Sequence, residues 1–218
     1  MKIMNETTLL FIMELIGTVA FTISGALIAI RCSLDLFGVV LVGCITSVGG
    51  GITRDLFLGK IPPSIFSNVI VLAIAATTAI VVFIVSYFNA DKFESFEKRI
   101  ESINNVFDAV GLATFSAIGT ETACESGFLG MAIFSISMGV LTGVGGGIMR
   151  DILVDSTPYV LKKHIYALAS IIGSTIYYLI RINGNRILAL MVAIPVVVII
   201  RLLAAKYRWK LPKIVLKN

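Results

Sequence analysis

The chain has 218 residues, 57% of them hydrophobic and only 14% charged, with a formal net charge of +5. Soluble domains carry about 25% charged residues, so this composition excludes an ordinary soluble globule and places most of the chain in lipid. A membrane barrel would alternate polar and apolar residues along each strand; no such alternation occurs here, and the expected class is an all-α integral membrane protein.

Charge-free runs at 36–53, 61–90, 126–149 and 165–180 are each near or above the ~17–25 residues a helix needs to cross a bilayer. In chain order, seven transmembrane helices are expected at about 9–30, 36–58, 65–88, 104–123, 127–153, 160–180 and 186–205. The first contains LIGTVAFTISGAL, whose small residues could imitate a signal-peptide cleavage site. Glu14 interrupts its apolar stretch and a copy of it recurs later, so it is read as a retained helix. Residues 31–35 are short and polar, suited to a helix hairpin. Pro62-Pro63 removes two backbone donors and opens the third helix. Residues 91–102, DKFESFEKRIES, are the one substantial charged linker, and Asn183-Gly184-Asn185 makes the last turn.

Internal similarity organises these elements. ELIGTVAFTISGAL at 14–27 matches DAVGLATFSAIGTE at 108–121, aligning Gly17, Phe21 and Gly25 with Gly111, Phe115 and Gly119. GGGITRD at 49–55 matches GGGIMRD at 145–151, and Pro62 matches Pro158 at the same offset. Three crossings per unit reverse the chain, so the expected fold is two inverted three-helix repeats plus a seventh helix. The expected layout is a single transmembrane domain, 1–218. Repeat one runs over about 9–88, a charged linker over 89–103, repeat two over 104–180, helix seven over 186–205 and a basic tail over 206–218.

Orientation follows from the bias of Lys and Arg toward cytoplasmic loops. Arg31, Lys92, Lys98, Arg99, Arg150, Lys162 and Lys163 fall on one side with the tail's Lys206, Arg208, Lys210, Lys213 and Lys217; Lys2, Arg54, Lys60, Arg181 and Arg186 fall on the other. The expectation is a multi-pass protein of the inner (plasma) membrane, N-terminus outside and C-terminus cytoplasmic, with membrane lipids as partners. The tail also suits an anionic leaflet.

Each GGGxxRD motif lies just past the middle of its helix. Glycine is about 1 kcal/mol per residue worse than Ala in a helix, so Gly49, Gly50 and Gly51, and Gly145, Gly146 and Gly147, are expected to kink or unwind helices 2 and 5. Exposed carbonyls at that depth are tolerated only against protein or a watery cavity. The competing reading is close helix packing at small residues. Arg54, Asp55, Arg150 and Asp151 follow the glycines, and an intramembrane charge costs at least ~2.5–3.5 kcal/mol unless it meets a partner or a cavity. Adjacent helical side chains point about 100° apart, so each charge is expected to seek Glu14, Asp108, a loop or water. Snorkelling to headgroups is the alternative. Thr46, Ser47 and Thr142 supply hydroxyls beside the glycines, suited to a partly dehydrated ion. Cys32, Cys44 and Cys124 read as small packing residues and His164 as an interfacial one. No metal, nucleotide, nucleophile or nucleic-acid motif stands out, so neither an enzyme nor a structural metal or cofactor is expected.

Two three-helix repeats, each with GGGxxRD, followed by a seventh helix, resemble the prokaryotic TRIC (trimeric intracellular cation) channels, a family also described as a bacterial glycine-transporter domain. The resemblance covers essentially the whole chain. It implies a homotrimer with a pore in each subunit, passing K⁺ and to a lesser extent Na⁺, lined by helices 2 and 5 at their triglycines. It offers no clear equivalent of the basic inositol-lipid motif of eukaryotic relatives, although bound lipid is in keeping with it. Two function classes stand: a K⁺-permeable cation channel, in which carbonyls and hydroxyls replace part of a hydration shell, and a transporter of glycine or another small amino acid.

Overall fold

The computed structural model describes residues 6–89, 97–162 and 165–209. Lys2, Lys92, Lys163, His164, Lys210, Lys213 and Lys217 lie outside that range, with residues 90–96 of the expected linker and most of the basic tail. The described residues form eight α-helices: α1 Glu6–Arg31, α2 Leu36–Phe57, α3 Val69–Phe88, α4 Glu97–Ala123, α5 Ala132–Leu153, α6 Tyr159–Lys162, α7 Ile165–Arg181 and α8 Arg186–Lys206. The expected sixth helix, 160–180, is described over α6 and α7, and residues 163 and 164 between them lie outside the described range. A 3-10 turn at Ser64–Ser67 precedes α3.

Local chemistry sets the ends. Asp35 caps α2 by accepting from the Gly38 amide at 2.8 Å, and Asn185 caps α8 by accepting from Leu188 at 2.9 Å, each satisfying a helix-end N–H that has no intrahelical partner. α4 begins inside the expected charged linker. A π-helical turn, Cys124–Phe128, carries Gly127 at φ 94°, so α5 starts five residues later than expected. Only glycine adopts that φ without a Cβ penalty.

Five helices are long and apolar enough to cross a membrane: Thr8–Arg31, Leu36–Phe57, Val69–Phe88, Ala132–Leu153 and Arg186–Lys206. The protein is an all-helical membrane protein. α3 presents Ile70, Val81, Ile84 and Val85 outward, an apolar face suited to lipid. The interior is unusually hydroxylic: Thr18, Thr22, Ser24, Thr46, Thr114, Ser116, Thr120, Thr142 and Ser170 are all buried.

α2 and α5 cross at the centre through their triglycines, and residues 36–57 and 132–153 are helical without interruption. The unwinding expected at the triglycines does not occur. The central glycines instead seat backbone: a Cβ on Gly50 would overlap the Thr142 carbonyl, and one on Gly146 would overlap the Thr46 carbonyl. Away from water an unwound backbone loses its hydrogen bonds, whereas an intact helix keeps them and gains close contact. α1 packs on α4 through the Phe21–Phe115 ring pair, 5.4 Å between centroids. Phe21 fits the space left by Gly111, and Phe115 lies 3.2 Å from where a Gly17 Cβ would stand.

Candidate functional site

Each GGGxxRD motif places an arginine and an aspartate at the end of its helix. Arg54 donates to Asp55 Oδ1 from Nε at 2.9 Å and from Nη2 at 2.7 Å, and Arg150 Nε donates to Asp151 Oδ1 at 2.8 Å. Neighbours in sequence therefore do pair, contrary to the expectation from their 100° separation. The long arginine stem folds back across that angle, and forked charge-assisted hydrogen bonds reward the geometry.

The second carboxylate oxygen has a different task in each motif's surroundings but the same chemistry. Asp55 Oδ2 accepts from the Ser64 amide at 2.8 Å and from Ser64 Oγ at 2.5 Å, holding the 3-10 turn that follows Pro62-Pro63. Asp151 Oδ2 accepts from the Tyr159 amide at 2.6 Å, holding the first residue of α6 just after Pro158. Each aspartate thus bridges its arginine to the chain re-entering the bundle.

Beyond that the two sites differ. Arg150 is almost wholly enclosed, at 1% exposure. Its Nη1 donates to Asp108 Oδ1 of α4 and to Ser24 Oγ of α1, both at 2.9 Å. Arg201 of α8 donates from Nη2 to Asp108 Oδ2 at 3.4 Å and stacks 4.6 Å from the centroid of the Tyr166 ring. Two arginines and two aspartates balance there.

Arg54 instead faces a cavity of about 210 Å³, lined by Glu14, Thr18, Ser47, Gly51 and Asp55, with Ser64 and Asn68 at the loop end and Phe115 and Ile118 of α4 on the far wall. Glu14 lines this cavity without forming the expected ion pair with Arg54; it has no hydrogen bond or ion pair among the described residues. Of the expected acidic partners, Asp108 bonds directly to its arginine, whereas Glu14 feels the Arg54 charge only through space.

The expected hydroxyls are placed at the α2–α5 crossing but turned onto their own helices. Thr46 Oγ1 donates to the Val42 carbonyl and Thr142 Oγ1 to the Met138 carbonyl, both at 2.6 Å, and Ser47 Oγ donates to the Cys44 carbonyl at 2.9 Å. Of the cysteines, Cys124 is buried, Cys44 partly so and Cys32 exposed, all as free thiols.

Two sets of functional-looking residues escape the sequence reading. One is Arg201 with Tyr166 and Ser24. Its signal is a single charge inside the apolar run ILALMVAIPVVVIIR. The other is a clamp at the opposite ends of the helices. Glu121 of α4 accepts from Arg181 Nε at 2.7 Å and from Tyr177 OH at 3.0 Å, and Arg186 Nε lies 2.7 Å from its other oxygen. Arg186 also reaches Glu125 at 2.7 Å and Glu6 at 3.6 Å. Together these tie α1, α4, α7 and α8.

Fold and site together define a polytopic helical membrane protein with buried charge clusters at two copies of one motif. The chain belongs to the TRIC family. The family model described as "Glycine transporter" matches it twice, over residues 11–87 and 105–181, leaving α8 outside both segments. The chain is 35% identical over 210 residues to the UPF0126 inner membrane protein YadS of Escherichia coli K12, covering 94% of this chain and 95% of that one. It is 33% identical over 201 residues to the UPF0126 membrane protein YvgT of Bacillus subtilis 168, covering 92% and 94%. Among solved structures, a prokaryotic TRIC channel crystallised in 0.5 M KCl superposes with a TM-score of 0.82 at 36% identity, over 94% of this chain and 100% of that one. The TRIC trimeric intracellular cation channel orthologue from Rhodobacter sphaeroides gives 0.82 at 30% identity, over 93% and 100%.

Proposed function

We propose that the protein is a K⁺-permeable monovalent cation channel of the inner membrane. The observation that carries this reading is the polar cavity beside Arg54. It enters the bundle beside α2, reaches Ser47 and Gly51, and holds a carboxylate, Glu14, that makes no direct ion pair with an arginine among the described residues. A carboxylate and hydroxyls at the wall of a narrow polar cavity attract and partly dehydrate a cation. The relatedness to solved TRIC cation channels supports the same reading. On this view each subunit of a homotrimer has its own path along α2 and α5. The two motif-bearing segments run in opposite directions, the N-terminus lies outside and the C-terminus in the cytoplasm. K⁺ or Na⁺ are the permeating species and lipids the surrounding partners. Because the triglycines are closed against each other, conduction requires α2 and α5 to shift at their crossing, which contacts without interlocking Cβ atoms permit.

The alternative is an inverted-repeat transporter of glycine or another small amino acid. The family description favours it, and so does an arginine on the wall of a cavity of about 210 Å³. Purified protein in a planar bilayer under a KCl gradient separates the two. Discrete openings reversing near the K⁺ equilibrium potential establish the channel. Silence with saturable glycine uptake into liposomes establishes the transporter.

A further inference from the structure

Glu14 and Asp108 occupy matching positions in the two similar stretches of sequence, yet their surroundings are opposite. Asp108 is saturated with cations, taking Arg150 on one oxygen at 2.9 Å and Arg201 on the other at 3.4 Å. Arg201 comes from α8, outside both family-matched segments, and no such side chain is provided for Glu14. One turn further along the helix the contrast repeats. Where the second stretch has the buried Leu112, the first has Thr18. Thr18 is fully buried, lines the same cavity as Glu14, and its Oγ1 has no hydrogen-bond partner among the described residues. Arg54 acts on Glu14 through space, but its guanidinium is committed to Asp55 by two hydrogen bonds.

A buried hydroxyl is ordinarily hydrogen-bonded, and leaving it unmade costs on the order of the full desolvation of the group. A half-buried carboxylate on the wall of such a cavity likewise favours a counter-charge. At Asp108 the fold supplies that counter-charge as a tethered guanidinium; at Glu14 it leaves a cavity. We propose that Glu14 and Thr18 form a binding site for a small monovalent cation, taken up as a free metal ion or as the ammonium end of a small zwitterion, and that Arg201 fills the corresponding position beside Asp108 permanently. The Glu14 carboxylate neutralises the ion, and Thr18 Oγ1 replaces one water of its shell. The site deepens the cation-channel reading by naming where a cation first gives up water, but its occupancy is measured without current.

The test is thermal unfolding of the detergent-solubilised protein, titrated with KCl against choline chloride at constant ionic strength, with glycine as a separate arm. A ligand that binds only the folded state raises its stability saturably. Wild type is expected to be stabilised by K⁺. Glu14→Gln is expected to weaken the apparent affinity roughly tenfold or more, the usual worth of a hydrogen bond or contact to a charged group, and Thr18→Val by less. Stabilisation by glycine alone, lost in Glu14→Gln, supports the site and assigns the cation as an ammonium. No saturable stabilisation of wild type by either ligand overturns the proposal, as does equal stabilisation of wild type and Glu14→Gln. Should Glu14→Gln fail to fold, unchanged affinity in Thr18→Val overturns it and weakened affinity supports it. Bilayer current on the same preparations separates this from the function. A conducting wild type whose Glu14→Gln variant keeps full affinity loses the site and keeps the channel. A silent wild type with Glu14-dependent stabilisation loses the channel and keeps the site.

Discussion

At Arg54 and at Arg150 the same local device is built: an arginine folds back on the next aspartate, whose free oxygen holds the chain beyond a proline, while glycines upstream seat a carbonyl of the crossing helix. What surrounds the device is not repeated. Around Arg150 the bundle closes completely, with Asp108, Ser24, Tyr166 and Arg201 leaving the guanidinium buried among balanced charges. Around Arg54 it leaves space, a half-buried glutamate and a buried hydroxyl. The motif therefore sets the scaffold, and the two sites differ in the residues that face it. Two differences distinguish the locked site from the open one in chemistry: an arginine from α8 beside Asp108, and Thr18 where the second stretch has Leu112.

The comparison is broken most severely at the acidic positions. Asp108→Asn leaves Arg150 and Arg201 buried with only Asp151 between them. Removing one partner of a buried ion pair costs about 3–5 kcal/mol, so this variant is expected to lose most of its folded population in a detergent melt. Glu14→Gln removes no ion pair and should shift stability by no more than about 0.5 kcal/mol in ligand-free buffer. Equal losses in the two variants would show that Glu14 is a structural anchor like Asp108 and would remove the distinction between the sites.

A smaller effect tests the crossing. Gly50→Ala and Gly146→Ala each drive a methyl into backbone, the Thr142 carbonyl in one case and the Thr46 carbonyl in the other. Overpacking of this kind costs about 1–3 kcal/mol, and backbone cannot swing aside as a side chain can. The two variants should lower the melting temperature alike, because the contacts are reciprocal. A loss in one alone would mean that the crossing is not the two-sided seat described here.

Much of this was legible in the sequence and some was not, for identifiable reasons. Charge-free runs and Gly/Pro punctuation place the long helices, with ends that differ by up to seven residues at the start of α4, since lipid forces every backbone group into a helix. The pairing of Arg150 with Asp108 follows from the rule that a buried charge must find a partner. The unwinding of the triglycines and the separation of adjacent charges fail as expectations because each weighs a local rule without its competitor. Glycine's low helix propensity is measured in water, where unwound backbone finds hydrogen bonds; at the α2–α5 crossing it does not, and the helices stay whole. The 100° rule for adjacent residues describes Cβ directions, and arginine's reach exceeds it. Arg201–Asp108 and Arg181–Glu121 span 93 and 60 residues of chain. Nothing local announces them; only the isolation of a charge in an apolar helix hints at the first.

The smallest predicted effect sharpens what the triglycine is for. Within one triplet the three glycines have three environments. Gly50 is pressed on backbone, and a Cβ on Gly49 would stand 2.5 Å from the flexible Met149 Sδ. Gly51 lines the cavity, where an added Cβ would find its nearest neighbour at 3.9 Å, the Arg54 Nη2. Gly51→Ala should therefore fold at least as well as wild type, gaining up to about 1 kcal/mol from helix propensity. The methyl would nevertheless project into the polar cavity beside Glu14 and Ser47. If the cavity is part of the conduction path, single-channel conductance falls in this variant while the melting temperature holds or rises. Conductance equal to wild type would mean that ions pass elsewhere and that the triglycine serves the crossing alone. A structural role predicts the central glycine to be the sensitive one and the third indifferent; only a role in the path makes the third one matter.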